Sequence, residues 1–187
     1  MYYIGHKRVT IPYKKILNGS YDDYIKAFAR SVKVFNKPVI IRFAHEMNLA
    51  EYHWGTENYT ANNPEIYKQL FRYVAGVFKK ENAANVRWAF CPNVDSVPQE
   101  SWNTPGAYYP GDDVVDILGA DGYDWEGNRS FASIFRPIYE QLKAISPAKP
   151  IIIFETATPR PDKALWLKEA LETATSWGIE GLIWFQV

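Results

Sequence analysis

Two glutamates each follow directly on an apolar stretch of the sequence. Glu46 comes after residues 39–45, and Glu155 comes after residues 151–154. Burial at such a boundary raises the pKa of a carboxyl group, because it disfavours the charged form. A single glutamate in this position is more often a helix cap or a solvated loop residue. Two such glutamates on separate segments are the minimum that glycoside hydrolysis requires, one as acid/base and the other as nucleophile or base.

Aromatic side chains lie near the same segment ends. The 187-residue chain contains seven Trp, thirteen Tyr and ten Phe, which together make up 16% of its residues. A flat apolar ring with a polar edge can stack on sugars, bases or protein partners. Core packing explains any one of these residues, but as a group they favour a carbohydrate-binding cleft: Tyr52, Trp54, Tyr123, Trp125 and Trp184.

Strands and helices alternate in the predicted secondary structure. Five apolar stretches have the length of strands, at residues 39–44, 86–91, 114–120, 151–154 and 181–185, and residues 9–11 form a candidate sixth. Between them, periodic apolar residues predict helices at 20–36, from Pro64 onwards, at 130–145 and at 162–177. Residues 1–187 contain no repeat and no low-complexity tract, which indicates one compact domain.

The first of these helices has both a predicted cap and a predicted buried face. Ser20 is the candidate cap, and Asp22 and Asp23 carry the negative charge that favours a first turn. Helical spacing predicts that its buried stripe consists of Ile25, Phe28, Ala29, Val32 and Phe35.

The strands are apolar along nearly their whole length, which is typical of parallel strands buried on both faces. Such strands belong either to a doubly wound sheet or to a (β/α) barrel. No glycine-rich phosphate-binding loop follows any of them, which weakens the nucleotide-binding alternative. Polar residues follow them instead, and in a barrel these ends converge on one mouth. The pattern favours the barrel, with a site drawn from His45, Glu46, Asn93, Asp95, Asp121, Tyr123, Glu155 and Gln186.

The composition excludes several classes of function. With 21 basic and 21 acidic side chains, the chain lacks the basic excess of a nucleic-acid binder. Its single cysteine, Cys91, excludes an internal disulfide and a multi-thiolate metal site, and no apolar run approaches the ~20 residues of a membrane span. Asp112, Asp113 and Asp116 lie in a turn-forming context without the ligand spacing of a cation site. We therefore predict no metal, no cofactor, no nucleic acid and no membrane partner.

Several segments, in order along the chain, resemble glycoside hydrolase family 26. The first is RFAHEMN at residues 42–48, followed by Trp54-Gly55, and the second runs from Asn85 to Asn93. The third comprises YYPGDDVVD at residues 108–116 and GADGY at residues 119–123. The last two are KPIIIFE at residues 149–155 and LIWF at residues 182–185.

This resemblance implies a retaining (β/α)8 barrel of the TIM type. The family consists mostly of endo-β-1,4-mannanases, with some mixed-linkage β-glucanases and β-1,3-xylanases. The resemblance implies that Glu46 is the acid/base and Glu155 the nucleophile, and a retaining mechanism places two such carboxyl groups ~5–5.5 Å apart. It also implies a β-linked polysaccharide or oligosaccharide substrate, no cofactor, and action outside the cell.

Roles for further residues follow from the same resemblance. His45 is expected to hydrogen-bond near the sugar at the cleavage point, and Tyr123 to hydrogen-bond the nucleophile. Trp184 is expected to form the platform under that sugar, and Trp54 an aromatic contact on the leaving-group side. Asn93 and Asp121 are expected to support the substrate site, and a turn or strand-end cap explains either of them nearly as well.

Two departures distinguish this chain from the family pattern. Leu49 follows Asn48 where the family usually has glycine. The chain has five to six predicted strands in 187 residues, whereas a complete barrel has eight in ~250 residues. We therefore predict an incomplete barrel that lacks amino-terminal units, and residues 1–8 lack the pattern of a signal peptide. Two other hypotheses stay open: a non-catalytic carbohydrate-binding remnant, and a subunit that self-associates or pairs through an open sheet edge.

Overall fold

The computed structural model describes residues 3–4, 7–8, 13–50, 52, 54 and 61–185. Two short strands, β1 (Tyr3–Ile4) and β2 (Lys7–Arg8), pair with each other antiparallel. Five further strands form one parallel sheet whose order follows the chain: β3 (Val39–Arg42), β4 (Val86–Phe90), β5 (Ile117–Asp121), β6 (Ile151–Thr156) and β7 (Gly181–Trp184). The candidate strand at residues 9–11 lies outside the described residues.

Helices separate most of the parallel strands, as the sequence predicts. Helices α1 (Tyr13–Leu17) and α2 (Asp22–Phe35) precede the sheet, and α3 (Asn63–Lys80) lies between β3 and β4. Helix α4 (Phe131–Ile145) follows β5, and α5 (Lys163–Ser176) follows β6. The connection from β4 to β5 contains only a 3-10 helix (Pro105–Tyr108). In the part of the chain that the structure describes, we find no helix with the length and hydrophobicity needed to span a bilayer.

The start of α2 differs from its prediction. Helix α2 begins at Asp22, and the hydroxyl of Ser20 donates to Oδ1 of Asn18 at 2.7 Å instead of capping the helix. The reason is the preceding turn at residues 18–20, which uses the Ser20 side chain locally. The amide of Asp22 then donates to the carbonyl of Gly19 at 3.0 Å. By contrast, Ser130 does cap α4, since its Oγ accepts from the amide of Ser133 at 3.2 Å.

The buried face of α2 is narrower than predicted. Ile25, Ala29 and Val32 are buried, whereas Phe28 is 49% exposed and Phe35 is 63% exposed. The buried three lie almost in line along the helix, and the two phenylalanines lie at the flank of that line. Phe28 makes an edge contact with the ring of Phe78 in the core, at a centroid distance of 5.7 Å.

The third predicted strand begins later than expected and ends later. It covers Ile117–Asp121, not 114–120. The amides of Val114 and Val115 both donate to the carbonyl of Gly111, so this part of the predicted strand is a turn. Asp116 also lies outside the strand, and its carboxylate accepts from the amide of Trp88 at 2.7 Å.

The centre of the sheet is packed on both faces, which agrees with the apolar strands of the sequence, whereas the outer strands β3 and β7 are only partly buried, with Ile40 43% exposed and Ile183 51% exposed. All five residues of β5 are buried. One hydrophobic cluster joins Phe90, Leu118 and Ile153 of the sheet to the helices. Residues that alternate with these along the strands form a second, smaller cluster, which contains Ala89, Cys91, Ile117 and Phe154.

The pairing of the strands is irregular at two points near their carboxyl ends. The register shifts between Ala120 and Asp121, and again between Ile153 and Thr156. As a result Asp121 lies opposite Glu155 rather than opposite Phe154. A bulge turns the side chains that follow it, and such bulges are common beside functional sites. The first of the two shifts brings a pair of carboxylates onto neighbouring positions of β5 and β6.

Gly119 provides a test of how tightly the sheet is packed. A Cβ there would lie 2.5 Å from ring carbons of Phe154 and 2.7 Å from the carbonyl oxygen of Ile152. We expect Gly119→Ala to lower the free energy of unfolding by about 1–3 kcal/mol, measured by urea denaturation. Gly76→Ala is the matched control: its Cβ meets no atom within 4 Å, and alanine in a helix gains up to about 1 kcal/mol over glycine. A Gly119→Ala protein as stable as the parent contradicts this packing.

Candidate active site

Glu46 lies in a sharp turn directly after β3. Ala44 and Glu46 both have positive φ angles, of 44° and 54°. Non-glycine residues adopt this conformation at a cost of about 1–3 kcal/mol, and they concentrate at functional sites. The amide of Glu46 donates to the carbonyl of Cys91 at 2.8 Å, which ties the turn to the end of β4. The Glu46 side chain is only 4% exposed, and its Oε1 accepts from Nδ2 of Asn93 at 2.7 Å.

A buried network of amides supports this turn. Nδ2 of Asn48 donates to the carbonyls of Asn93 and Asp95, each at 2.9 Å, and its Oδ1 accepts from the amide of Asn93 at 2.9 Å. Asn103 donates to the carbonyl of Asn48 at 3.0 Å and accepts from the hydroxyl of Tyr108 at 2.6 Å. The sequence pattern predicts no role for Asn48 or Asn103. The feature of the sequence that could have indicated the supporting role of Asn48 is its position, two residues after Glu46.

Glu155 has different partners from Glu46. Its Oε1 accepts from Nη2 of Arg42 at 2.6 Å, and its Oε2 accepts from the hydroxyl of Tyr123. Burial acts to raise the pKa of Glu155, but the hydrogen bonds from Tyr123 and Arg42 outweigh it, and the pKa lies below its ordinary value. At neutral pH this carboxyl group is therefore ionised, and both of its oxygens are held in place.

Asp121 shares the same guanidinium. Nη1 of Arg42 lies 2.9 Å from both carboxylate oxygens of Asp121, which has no exposed surface. Burial acts to raise the pKa of Asp121, and the charges of Glu155 and Glu46 add to the shift, whereas the Arg42 guanidinium on both of its oxygens opposes it and favours the ionised form. Arg42 belongs to the RFAHEMN segment, and no role for it was predicted from the sequence. The signal that could have found it is a lone cation at the end of an otherwise apolar strand.

The aromatic residues beside Glu46 form a cluster of three rings, His45, Tyr52 and Trp54. Tyr52 and Trp54 stack at a centroid distance of 4.5 Å, and the His45 ring lies 5.3 and 5.4 Å from them. Nε1 of Trp54 donates to the carbonyl of His45 at 2.9 Å. Burial lowers the pKa of His45 and the charge of Arg42 adds to this, so the imidazole is neutral at pH 7. Burial and a hydrogen bond with Glu46 raise the pKa of Tyr52.

A second aromatic group lies on the side of Glu155. The ring of Tyr123 stacks on Trp125 at 4.5 Å and meets Phe185 edge-on at 5.9 Å. Together with Trp184 these rings line a cavity of about 260 Å³. Trp125 is 76% exposed, whereas Trp184 is partly buried and contacts Trp166 of α5 at 6.1 Å.

The structure brings most of the predicted site residues together at the carboxyl ends of the strands. Glu46, Asn93, His45 and Trp54 form one side, and Glu155, Asp121 and Tyr123 the other, with Arg42 between two of the carboxylates. Trp184 lies farther out, at the cavity beside Tyr123. Gln186 is outside the described residues.

Three of these side chains could also be considered as metal ligands. Ligand atoms of His45, Asp121 and Glu155 lie within 4.8 Å of one another. However, Arg42 donates hydrogen bonds to both of these carboxylates. A metal ion at this point would be repelled by the guanidinium or would have to displace it. The two carboxylates already have a cation as their partner, which is Arg42.

The family of the chain follows from comparison with known proteins. Residues 3–180 match the sequence profile of glycosyl hydrolase family 26. The chain belongs to this family. Endoglucanase H of Acetivibrio thermocellus is 34% identical over 183 residues, which cover 91% of this chain and 20% of that protein. A mannan endo-1,4-beta-mannosidase of Bifidobacterium adolescentis is 30% identical over 115 residues, which cover 58% of this chain and 11% of that protein.

Solved structures give the same assignment for the fold. The YdhT protein from Bacillus subtilis superposes with a TM-score of 0.72 at 25% identity, covering 98% of this chain and 56% of that one. The β-mannanase BoMan26A from Bacteroides ovatus has a TM-score of 0.66 at 23% identity, covering 92% of this chain and 52% of that one. The chain thus spans about half the length of these structures. Its sheet is part of a (β/α)8 barrel, which confirms the predicted fold class.

Substitution of Asn93 tests how much its hydrogen bonds stabilise the turn that carries Glu46. Its side chain donates to Glu46 at 2.7 Å and accepts from the amide of Asp95 at 2.9 Å. Asn93→Ala leaves both groups without these partners, and we expect it to lower the free energy of unfolding by about 1–3 kcal/mol in chemical denaturation. The control is Asn128→Ala, an exposed amide that bonds only to Glu126 in the surrounding loop at 3.2 Å, with an expected change within about 0.5 kcal/mol. Equal losses in the two variants argue against a supporting role for Asn93.

Proposed function

We propose that this chain carries the catalytic centre of a retaining endo-β-glycanase, which hydrolyses internal β-1,4-mannosidic bonds of mannan by double displacement. The observation that supports it is the unequal environment of two glutamates at one end of the sheet. Glu155 is paired with a guanidinium and a phenol, whereas Glu46 is hydrogen-bonded to uncharged groups, the side-chain amide of Asn93 and the phenol of Tyr52. Glycosidases separate the nucleophile from the acid/base by placing two carboxyl groups in different surroundings.

In the first step Glu155 acts as the nucleophile. Its ionised oxygen attacks the anomeric carbon, and the bond between that carbon and the leaving oxygen breaks. The bonding electrons go to the leaving oxygen, which takes a proton from Glu46. The products are a glycosyl ester on Glu155 and one released end of the polysaccharide.

In the second step Glu46 acts as a base. Now a carboxylate, it takes a proton from water while the water oxygen attacks the anomeric carbon. The ester bond breaks, and its electrons return to Glu155. The amide of Asn93 holds Glu46 in one position through both steps. Two inversions at the same carbon give a product with the configuration of the substrate.

The positions of the two aromatic groups support a proposal for which part of the substrate binds on each side of the site. Because the acid/base acts on the leaving oxygen, the rings of His45, Tyr52 and Trp54 beside Glu46 receive the leaving-group sugars. The stacked pair of Tyr123 and Trp125 lies on the side of the nucleophile and receives the sugar that becomes bonded to Glu155. Apolar ring faces suit the apolar faces of pyranose rings.

A β-glucan is the second candidate substrate. It is favoured by the match to endoglucanase H, which covers 91% of this chain at 34% identity. A panel of mannan, mixed-linkage β-glucan and β-1,3-xylan, assayed for released reducing ends, separates the candidates. Saturable binding to one of these polymers without turnover would instead establish a non-catalytic carbohydrate-binding protein.

Variants of the two glutamates test their roles. We expect Glu155→Ala to abolish hydrolysis of every substrate, because no nucleophile remains. Glu46→Ala should lose hydrolysis of the polysaccharide but cleave an aryl glycoside whose leaving group needs no proton, and azide should increase that rate by taking the place of water. Glu172→Ala, at an exposed position of α5, is the control and should have parent activity. Undiminished activity of Glu155→Ala on the polysaccharide contradicts the assignment.

The stereochemistry of the product tests the mechanism separately. We expect proton NMR of an oligosaccharide digest to show the β-anomer first, with the α-anomer appearing only through mutarotation. The physical reason is the double displacement, for which a retaining enzyme places its carboxyl groups ~5–5.5 Å apart. If the α-anomer forms first, Glu155 acts as a base on water and no glycosyl ester is formed.

A further inference from the structure

Trp125 lies on a tight turn after β5, and 76% of its surface is exposed. The amide of Gly127 donates to the carbonyl of Asp124 at 3.3 Å, so Trp125 is the second residue of a four-residue turn. Its ring stacks on that of Tyr123 at a centroid distance of 4.5 Å. Because most of the Trp125 side chain lies in solvent, the position of its ring depends on this one stacking contact and on the backbone of the turn.

The side chain of Asp124 closes the turn and has no exposed surface. Its Oδ1 accepts from the amides of Asn128 and Arg129, each at 3.0 Å, and its Oδ2 accepts from the hydroxyl of Thr158 at 2.9 Å. Burial acts to raise the pKa of Asp124, but these hydrogen bonds outweigh it, and the pKa lies below its ordinary value. Hydrogen bonds to an ionised acceptor are stronger than those between neutral groups. The turn is therefore closed by a charged group at neutral pH.

Asp124 also joins this turn to the loop that follows β6. Thr158 belongs to that loop, and the amide of Asp124 donates to the carbonyl of Ala157 at 3.0 Å. The two loops are packed closely, since a Cβ at Gly127 would lie 3.3 Å from Cγ of Arg160. The two loops thus form one unit, and Asp124 is bonded to both of them.

This unit forms part of the wall of the cavity beside the nucleophile. Trp125 and Thr158 both line the cavity of about 260 Å³, and Trp184 lines it as well. Tyr123, on which Trp125 stacks, donates to Glu155. In the part of the chain that the structure describes, no hydrogen bond of Asp124 reaches Glu155 itself. A displacement of the turn would therefore change the surface that a sugar meets and leave the partners of the nucleophile in place.

We propose that Asp124 is a positioning residue for Trp125, and that it controls the affinity for sugar on the nucleophile side without contacting that sugar. The consequences for binding rest on the proposed function. The contacts run from Thr158 to the carboxylate of Asp124, from there to the amides that close the turn, and through the turn to the ring of Trp125. Asp124 itself has no exposed surface, so its effect on a sugar passes through the ring.

The position of Trp125 can be measured without any substrate. We expect fluorine-19 NMR of the protein labelled with fluorotryptophan to show a Trp125 resonance displaced from that of the free amino acid, because the ring is stacked on Tyr123. In Asp124→Ala the resonance should move toward the free value, since two backbone amides and one hydroxyl lose their acceptor. The Trp125 resonance is assigned by its absence in Trp125→Phe.

Two further variants serve as controls for this measurement. Asp116 also accepts from a backbone amide, that of Trp88 at 2.7 Å, but it precedes β5 and so lies at the end of the strand opposite to the site. Asp116→Ala should leave the Trp125 resonance unchanged. Asp124→Asn should keep it close to its parent position, because the amide oxygen still accepts from the backbone and the NH2 group can donate to the Thr158 hydroxyl.

A double-mutant cycle distinguishes positioning from direct contact with the sugar. In a protein that carries Glu155→Ala, where bound oligosaccharide is not turned over, we expect Asp124→Ala to raise the Kd about tenfold, the order of one lost aromatic contact. Trp125→Ala should raise the Kd by a similar factor. When Trp125→Ala is already present, Asp124→Ala should have no further effect on the Kd, because its effect passes through the ring. Isothermal titration calorimetry measures each of these values.

Three results would overturn the proposal. They are an unchanged Trp125 resonance in Asp124→Ala, a changed one in Asp116→Ala, or additive effects of Asp124→Ala and Trp125→Ala on the Kd. If Asp124→Ala does not fold, Thr158→Val replaces it in both measurements with the same expected directions, because it removes one donor to Asp124. If the Glu155→Ala protein binds no oligosaccharide of mannan, mixed-linkage β-glucan or β-1,3-xylan, the proposed function fails, and the NMR spectra still decide whether Asp124 holds Trp125.

Discussion

One guanidinium shared by two carboxylates is the interaction on which the site depends. Arg42 ends β3, Asp121 ends β5, and Glu155 lies near the end of β6, so the three groups meet only when these strands lie in parallel order with their carboxyl ends together. Removing three charges from water costs several kcal/mol for each ion. That cost is offset by four close donor–acceptor contacts within 3 Å, and the register shift at Asp121 places the two carboxylates opposite each other.

The other glutamate is supported by neutral groups. Glu46 lies on a strained turn and is bonded to Asn93, which in turn is held by Asn48 and, further back, Asn103. Amides satisfy buried polar atoms without adding charge. The two halves of the site meet where the backbone of Asn93 pairs with that of Asp121. One edge of the sheet thus offers a charged environment to one glutamate and an uncharged environment to the other.

The sequence predicted the architecture where the physical pattern was strong. Apolar strands with buried positions on both faces predicted a parallel sheet, and the five strands are present with shifts at their ends. Ser20 does not form the helix cap that its position predicted, because a local turn competes for the same hydroxyl. Phe28 and Phe35 are exposed, although the sequence predicted that they are buried. Helical periodicity identifies the face of a helix that packs, but it does not give the width of the contact that the neighbouring helix makes.

The sequence by itself determined the family and the parallel strands, and it pointed to two glutamates as the candidate catalytic pair, since these depend on local pattern and on motifs in order. Only the tertiary structure decided which polar groups share a partner. Arg42 is 79 residues from Asp121 and 113 from Glu155, and no periodicity along a chain reports an ion pair over such a separation. Asn48, Asn103 and Arg42 were missed for this reason. Their importance arises from burial next to one another, which exists only after the strands have come together.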